Sequence, residues 1–453
     1  MSEATTQEPT QALAAFAASL SLEAIPVRVQ AFAKGLMLDA LACALAGHQG
    51  EETPQVAAFA AALAQSRESS VIGGDRLSLA GATVLNGFLI TAVTMCDTHR
   101  VTLTHIMPEV LPPALAIAER DGSSGKDLLS SVVAGSEIAT RIGLGLDYPV
   151  FRAKGWHGPG VLGPFGAAAA VGRLRGFDAE TMARAFGLAG SQAAGTFAAW
   201  GTPTVKFHQC RGALSGLMAA LLAEQGFVAT REFLTASDGG LYNTYAEGGR
   251  IDRALEELGT RWELEQLSLR PWPAATNIQS AVTALFELIE QHDIAPEKVK
   301  QVRLSMSKTP FEMHSGFATY QGKFEALLSA HYAAAVILHD RALTLREYEP
   351  KRYGDPALSR FAAERVAVRM DPALDGAETQ AEIVLTDGRL LATHCRAPRG
   401  APENPLSRAQ IEEKFRTYAR ARLPETRIAQ IIDMITNLET LPSVVPLTTA
   451  LRA

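Results

Sequence analysis

The stretch ETQAEIVLTDGRLLATHC, residues 378–395, decides the fold. Apolar and polar residues alternate on both sides of Asp387-Gly388, a pair suited to the left-handed backbone of a tight turn. It reads as a β-hairpin. Two further stretches alternate in the same way, EKVKQVRLSM at 297–306 and AERVAVRMD at 363–371. Between and before them lie two helical patterns, SAVTALFELIEQ at 280–291 and FEALLSAHYAAAVIL at 324–338. Together they predict a smaller α/β domain with a largely antiparallel sheet over residues 269–399.

Outside that window the apolar spacing is helical. Residues 1–268 form the first part of a large all-helical domain, and the class is mainly α. AIPVRVQAFAKGLMLDALACALAG (24–47) repeats apolar residues at three and four and stops at a glycine. Lys34 and Asp39 interrupt it, which reads as a helix with one wet side. Further helices are expected at 79–95, in the second part of 103–119 with its prolines near the start, and at 130–144, 178–191 and 211–225. Residues 400–453 are helical again, opened by a capping box at Ser407 and Gln410. Periodicity leaves open whether they extend the small domain or return to the first.

A chain of 453 residues is too long for one modest core. Its net charge of −6 gives no electrostatic footprint for nucleic acid. Cys43, Cys96, Cys210 and Cys395 are widely spaced, which suits thiols in a reducing compartment. The polar, acidic start MSEATTQEPTQ does not read as a signal peptide. Polar residues break the apolar runs before membrane-spanning length, so no membrane contact and a cytoplasmic location are expected.

Several polar residues sit oddly among apolar or glycine-rich neighbours: Asp97, Thr98, His99, His105, His157, Lys206, His208, Arg211 and Arg270. The glycines of 155–178 do not follow a β-run and lack the dinucleotide spacing, so close helix packing explains them. No serine stands in a nucleophile elbow. The histidines and Asp97 have no diagnostic metal spacing, and neither metal nor cofactor is expected. Acid–base chemistry on a carboxylate substrate fits these residue types.

The chain also resembles the MmgE/PrpD family. The resemblance runs through DTHRVTLTH (97–105), GSEIATRIG (135–143), KGWHGPGVLGPFGAAAAVGRLRGFD (154–178) and HQCRGALSGLMAALLAEQGF (208–227). It continues through SLRPWP (268–273), KTPFE (308–312), RYGDPAL (352–358) and PRGAPENPLSRAQIEEKFR (398–416). It implies a helical domain completed by the C-terminal tail, an inserted α/β domain, a site in the cleft between them, and a homodimer. It also implies a small polycarboxylate substrate.

The family's site positions map unevenly. Its histidines match His105 and His157, and its threonine matches Thr98. Its leading aspartate falls on Thr94, its lysine on Val205 with Lys206 one residue on, and its later histidine on Gln279. A tyrosine of its small domain corresponds to Tyr332. From this resemblance His105, Lys206 and His157 are expected to move protons, with Tyr148 in reserve. Arg270 is expected to clamp a carboxylate, with Asp97, Thr98, His208, Gln279 and Tyr332 completing the substrate site. The departures point to an epimerase that inverts an α-carbon of iminodisuccinate. The alternatives within the family are a dehydratase of a tricarboxylate such as 2-methylcitrate and a decarboxylase of a cis-aconitate-like substrate.

Overall fold

A computed structural model describes residues 8–316, 319–320 and 322–453. Most of the polar N-terminal stretch read above lies outside them. The chain forms two units. The first takes the chain up to Ala92, Cys96–Leu267 and Ser407–Ala453, and the second takes Val93–Met95 and Ser268–Leu406.

The first unit is helical. Its central members are α1 (Val27–Gly47), α2 (Met107–Asp121), α3 (Gly158–Leu174), α4 (Thr204–Glu224) and, from the tail, α5 (Arg408–Ala419). α3 and α4 meet almost backbone to backbone. A Cβ at Gly216 would lie 2.3 Å from the Ala167 Cβ and 2.4 Å from the Pro164 carbonyl oxygen. Close packing is also the use of Gly160, Gly163, Gly166 and Gly172, where a Cβ would lie 2.1–2.9 Å from a neighbour, but not of Gly155 and Gly176, which stand at φ +83° and +68° with open space beside them. α5 opens with the expected capping box, in which the Ser407 hydroxyl accepts from the Gln410 amide and the Gln410 side chain accepts from the Ser407 amide.

Four readings need correction. The wet side of α1 is not wet. Asp39 is buried, and its carboxylate accepts from Lys414 Nζ of α5 at 2.6 Å. Lys34 Nζ reaches Glu439 at 2.8 Å and the Thr436 carbonyl at 2.8 Å. Spacing marks a polar face, but not whether water or a complementary charge covers it. α1 is also, by length and composition, long enough to cross a membrane, contrary to expectation. Its apolar window is 78% buried within the protein, as suits a core helix. Finally, α4 begins at Thr204 rather than near Arg211, and of the prolines expected near the start of α2 only Pro108 stands in its first turn, while Pro112 and Pro113 lie in its interior.

The second unit holds a four-stranded sheet of β1 (Val299–Met306), β2 (Val366–Met370), β3 (Thr379–Leu385) and β4 (Leu390–Cys395) in the order β2-β1-β3-β4. β3 and β4 are the hairpin, antiparallel from Thr379↔Cys395 to Val384↔Leu390, with Gly388 at φ +89° in the turn. β1 pairs antiparallel with β3 and parallel with β2. The helix Gln279–His292 packs on β3 and β4. The FEALLSAHY run is two helices, Lys323–Leu328 and Ala330–Asp340, because Ser329 caps the second by accepting from the Tyr332 amide.

Candidate active site

The loop that precedes α2 fixes one imidazole. Both carboxylate oxygens of Asp97 accept backbone amides at the start of α2, from Ile106 at 2.8 Å and Met107 at 3.1 Å. This cap satisfies donors that a helix start leaves unpaired. It holds residue 97 so that its carbonyl oxygen meets His105 Nδ1 at 2.7 Å. A carbonyl only accepts, so Nδ1 carries a proton and the neutral ring keeps its lone pair on Nε2. The Thr98 hydroxyl stands 3.1 Å from the same nitrogen. Asp97 and Thr98 therefore orient a half-buried histidine. His99 turns into the loop, with Nδ1 2.8 Å from the Thr102 hydroxyl.

A second cluster lies where α3 and α4 begin. His157 occupies the N-cap position of α3, and its amide donates to the Gly195 carbonyl at 3.0 Å. His208 sits in the early turns of α4. The two rings meet nitrogen to nitrogen, Nδ1 to Nδ1, at 2.9 Å. One of these nitrogens must donate and the other accept. Burial pushes His157 well below the ordinary imidazole range, and the neighbouring charges of His208, His105 and Arg152 push the same way. Burial and then Arg211 lower His208. Both rings are therefore neutral near pH 7. Gly195, at φ +123°, leaves room for His208, since a Cβ there would be 3.0 Å from the ring.

Phe197 packs edge-on against His157, with ring centres 5.3 Å apart. The Arg152 guanidinium lies 3.5 Å from the centre of the Phe197 ring. Arg211 is spent on structure, donating to the carbonyls of Gln192, Gly160 and Ala194 at 2.7–2.8 Å. Tyr148 starts the short helix Tyr148–Ala153 that carries Arg152. Burial pushes its phenol up to about 12, with Arg152 opposing, so it keeps its proton at neutral pH.

Lys206 does not join the histidines. Its Nζ donates to the Ala92 carbonyl at 2.7 Å and lies 3.4 Å from Glu52. Two residues along an α-helix turn about 200°, so Lys206 and His208 project from opposite sides of α4. Val205, three residues from His208, shares its face and is buried.

Of the positions in the second unit, Arg270 Nη1 donates to the Ala274 carbonyl at 3.3 Å. Gln279 Nε2 donates to the same oxygen at 2.9 Å and to the Trp272 carbonyl at 3.1 Å, while its buried Oε1 has no hydrogen-bond partner among the described residues. Tyr332 does not fit a substrate-binding role. It is wholly buried, its hydroxyl donates to the Glu347 carbonyl, and its ring packs on Tyr320 and Tyr348.

Two residues escaped the sequence reading. Arg152 carried a signal, a cation five residues before His157 beside an aromatic. Glu109 carried another, an acid four residues after His105 inside an apolar run. Glu109 is fully buried, and among the described residues neither carboxyl oxygen has a hydrogen-bond partner. Gly163 makes its space, since a Cβ there would be 2.5 Å from the carboxyl carbon. Burial raises its pKa well above the ordinary value, Asp97 adds to the rise, and Arg211 opposes it. Above pH ~4.5 the unfolded chain releases this proton while the folded chain holds it, so stability falls as pH rises towards the folded pKa. Glu109→Gln is expected to remove that slope and to raise the urea midpoint over wild type from about pH 6 upward. Identical midpoints for the two proteins from acid to alkaline pH would show that Glu109 is not held as the neutral acid.

Among the described residues, no three His, Cys, Asp or Glu side chains group to hold a metal ion. Residues 11–254 match the MmgE/PrpD N-terminal domain and 272–440 the C-terminal domain. A cis-aconitate decarboxylase-like protein of Aspergillus oryzae is 28% identical, covering 92% of this chain and 91% of its own. A cis-aconitate decarboxylase of Aspergillus terreus is 26% identical, covering 95% and 93%. The human cis-aconitate decarboxylase is also 26% identical, covering 94% and 90%. A second Aspergillus terreus protein and the mouse protein bear the same name. These names overturn the expectation of an iminodisuccinate epimerase. Departures at the single positions Thr94, Val205 and Gln279 do not outweigh likeness over the whole chain.

Proposed function

This chain belongs to the MmgE/PrpD family, and we propose that it is a lyase that decarboxylates a small unsaturated tricarboxylate of the cis-aconitate kind. The observation that carries this reading is its likeness, over at least 92% of its length, to five proteins named for that reaction. The side chains supply fitting chemistry. Carbon dioxide leaves from the saturated arm, and the freed electron pair forms a new double bond to the central carbon. The old double bond's electrons move to the carbon beside the remote carboxylate, which takes one proton. The balance is tricarboxylate plus proton giving dicarboxylate plus carbon dioxide.

His105 is the proton donor in this reading. As an imidazolium it gives up the Nε2 proton and returns to the tautomer that the Asp97 carbonyl favours. Of the His157–His208 pair, the ring whose Nδ1 accepts carries its proton on Nε2. It donates there to a carboxylate without adding charge. Arg152 places a cation beside the pair. A cation near a developing dienolate stabilises it more strongly in a partly buried site than in water. Lys206 has no role, so Lys206→Met should leave kcat within about threefold while losing about 1–3 kcal/mol of stability with its buried hydrogen bond.

The test is incubation of the purified chain with cis-aconitate in D2O. Carbon dioxide release with one deuterium in the product's new methylene is the expected result. A hydrated tricarboxylate with no carbon dioxide would replace this reading with a hydratase.

A further inference from the structure

We propose that the basin formed by Arg422, Arg427, Arg452 and the turn at 73–75 binds a small polyanion carrying two or more carboxylate charges, or a phosphate. The basin encloses about 540 Å³. Each arginine is held by one hydrogen bond. Arg422 Nη1 donates to the Gly73 carbonyl at 2.9 Å, Arg427 Nη1 to the Arg452 carbonyl at 2.6 Å, and Arg452 Nη2 to the Thr449 hydroxyl at 2.7 Å. None of these anchors is a carboxylate; the negative charge at the basin comes from Asp75, which Arg452 and Arg67 both stabilise as the anion, and from the last residue, Ala453, against three arginines.

That is unusual within its own segment. Arg408, Arg416 and Arg420, from the same C-terminal helices, each pair with a glutamate. Among the described residues no carboxylate lies within ion-pair distance of Arg422, Arg427 or Arg452. Asp75 lines the basin, but Arg67 engages its carboxylate. In a chain of net charge −6, a cluster of three guanidinium groups runs against the overall balance. Guanidinium forks held in place bind carboxylate and phosphate bidentately at little ordering cost. Burial already lowers the pKa of Arg422. An anion would relieve that desolvation.

The basin is distinct from the histidine site. The strand that leads into its turn, Ser69–Ser70, is fastened to the far end of α2. There the Ser70 amide and hydroxyl both donate to Glu119, at 2.6 and 2.7 Å. The His105 loop caps the other end of α2, and a helix of 15 residues spans roughly 22 Å.

The experiment is calorimetric titration of the full chain with inorganic phosphate and, separately, with citrate. It is repeated on Arg422→Gln/Arg452→Gln and on Arg427→Gln. Saturable binding that weakens at least tenfold in the double variant is expected, with cis-aconitate turnover unchanged. Loss in the phosphate arm alone assigns the site to phosphate, and loss in the citrate arm alone assigns it to polycarboxylates. Unliganded melting temperatures within a few degrees of wild type establish that the variants fold, and the single variant reads the basin if the double does not. Absence of saturable binding in both arms, or binding equal in wild type and variants, would overturn the proposal.

Discussion

His105→Ala is expected to lower kcat for cis-aconitate decarboxylation by about 10²–10⁴-fold, the usual worth of a positioned general acid. Substrate affinity should change only a few-fold, because the ring's part is a proton given in the transition state rather than a ground-state contact. The argument rests on orientation. The Asp97 carboxylate is locked by hydrogen bonds from two backbone amides at the start of α2, so the carbonyl that receives His105 Nδ1 is held in place. His105→Asn is the informative companion. Its amide can still donate to the Asp97 carbonyl, so the loop should stay folded while the proton donor is gone. If both variants turn over like wild type in a carbon dioxide release assay, the donor lies elsewhere.

Lys414→Ala should be the most damaging substitution for stability, at about 3–5 kcal/mol. It leaves the Asp39 carboxylate of α1 buried without the ammonium of α5 that lies 2.6 Å away. The loss is a large share of the roughly 5–15 kcal/mol that holds a typical domain together. Removing both charges by Asp39→Leu with Lys414→Met should recover most of it, since an apolar pair of similar size carries no desolvation penalty. Urea midpoints of the three proteins decide the matter. A double variant no more stable than Lys414→Ala would mean that packing, not charge, accounts for the effect.

The two kinds of secondary structure were legible to different degrees, for physical reasons. The hairpin was readable because Asp387-Gly388 and a period of two leave little else for residues 378–395 to do. α4 was misplaced at its start because it is buried on most sides. TVKFHQCR has polar and apolar residues all round, and no stripe marks the first two turns. That error matters for the site, since only once Thr204 is known to start the helix does the separation of Lys206 from His208 follow. Asp39 was visible as an interruption, but its partner stands 375 residues away, and no local pattern carries that distance. The histidines were visible as residue types in unusual company. Their pairing was not, because His157 and His208 meet only where two helices begin.

The Nδ1–Nδ1 contact of those two rings has a further consequence. The shared hydrogen has two resting places, and it crosses between them without separating charge when the accepting ring loses its outer Nε2 hydrogen and the donating ring gains one at its own, which reverses the roles of both outer nitrogens. The ring that offered an Nε2 hydrogen becomes the one that can take one, and its neighbour does the opposite. No ring needs to flip. Such a couple can lose a hydrogen at one outer edge and be refilled at the other, which makes it a conduit as well as a contact, able to restore itself between one round of chemistry and the next.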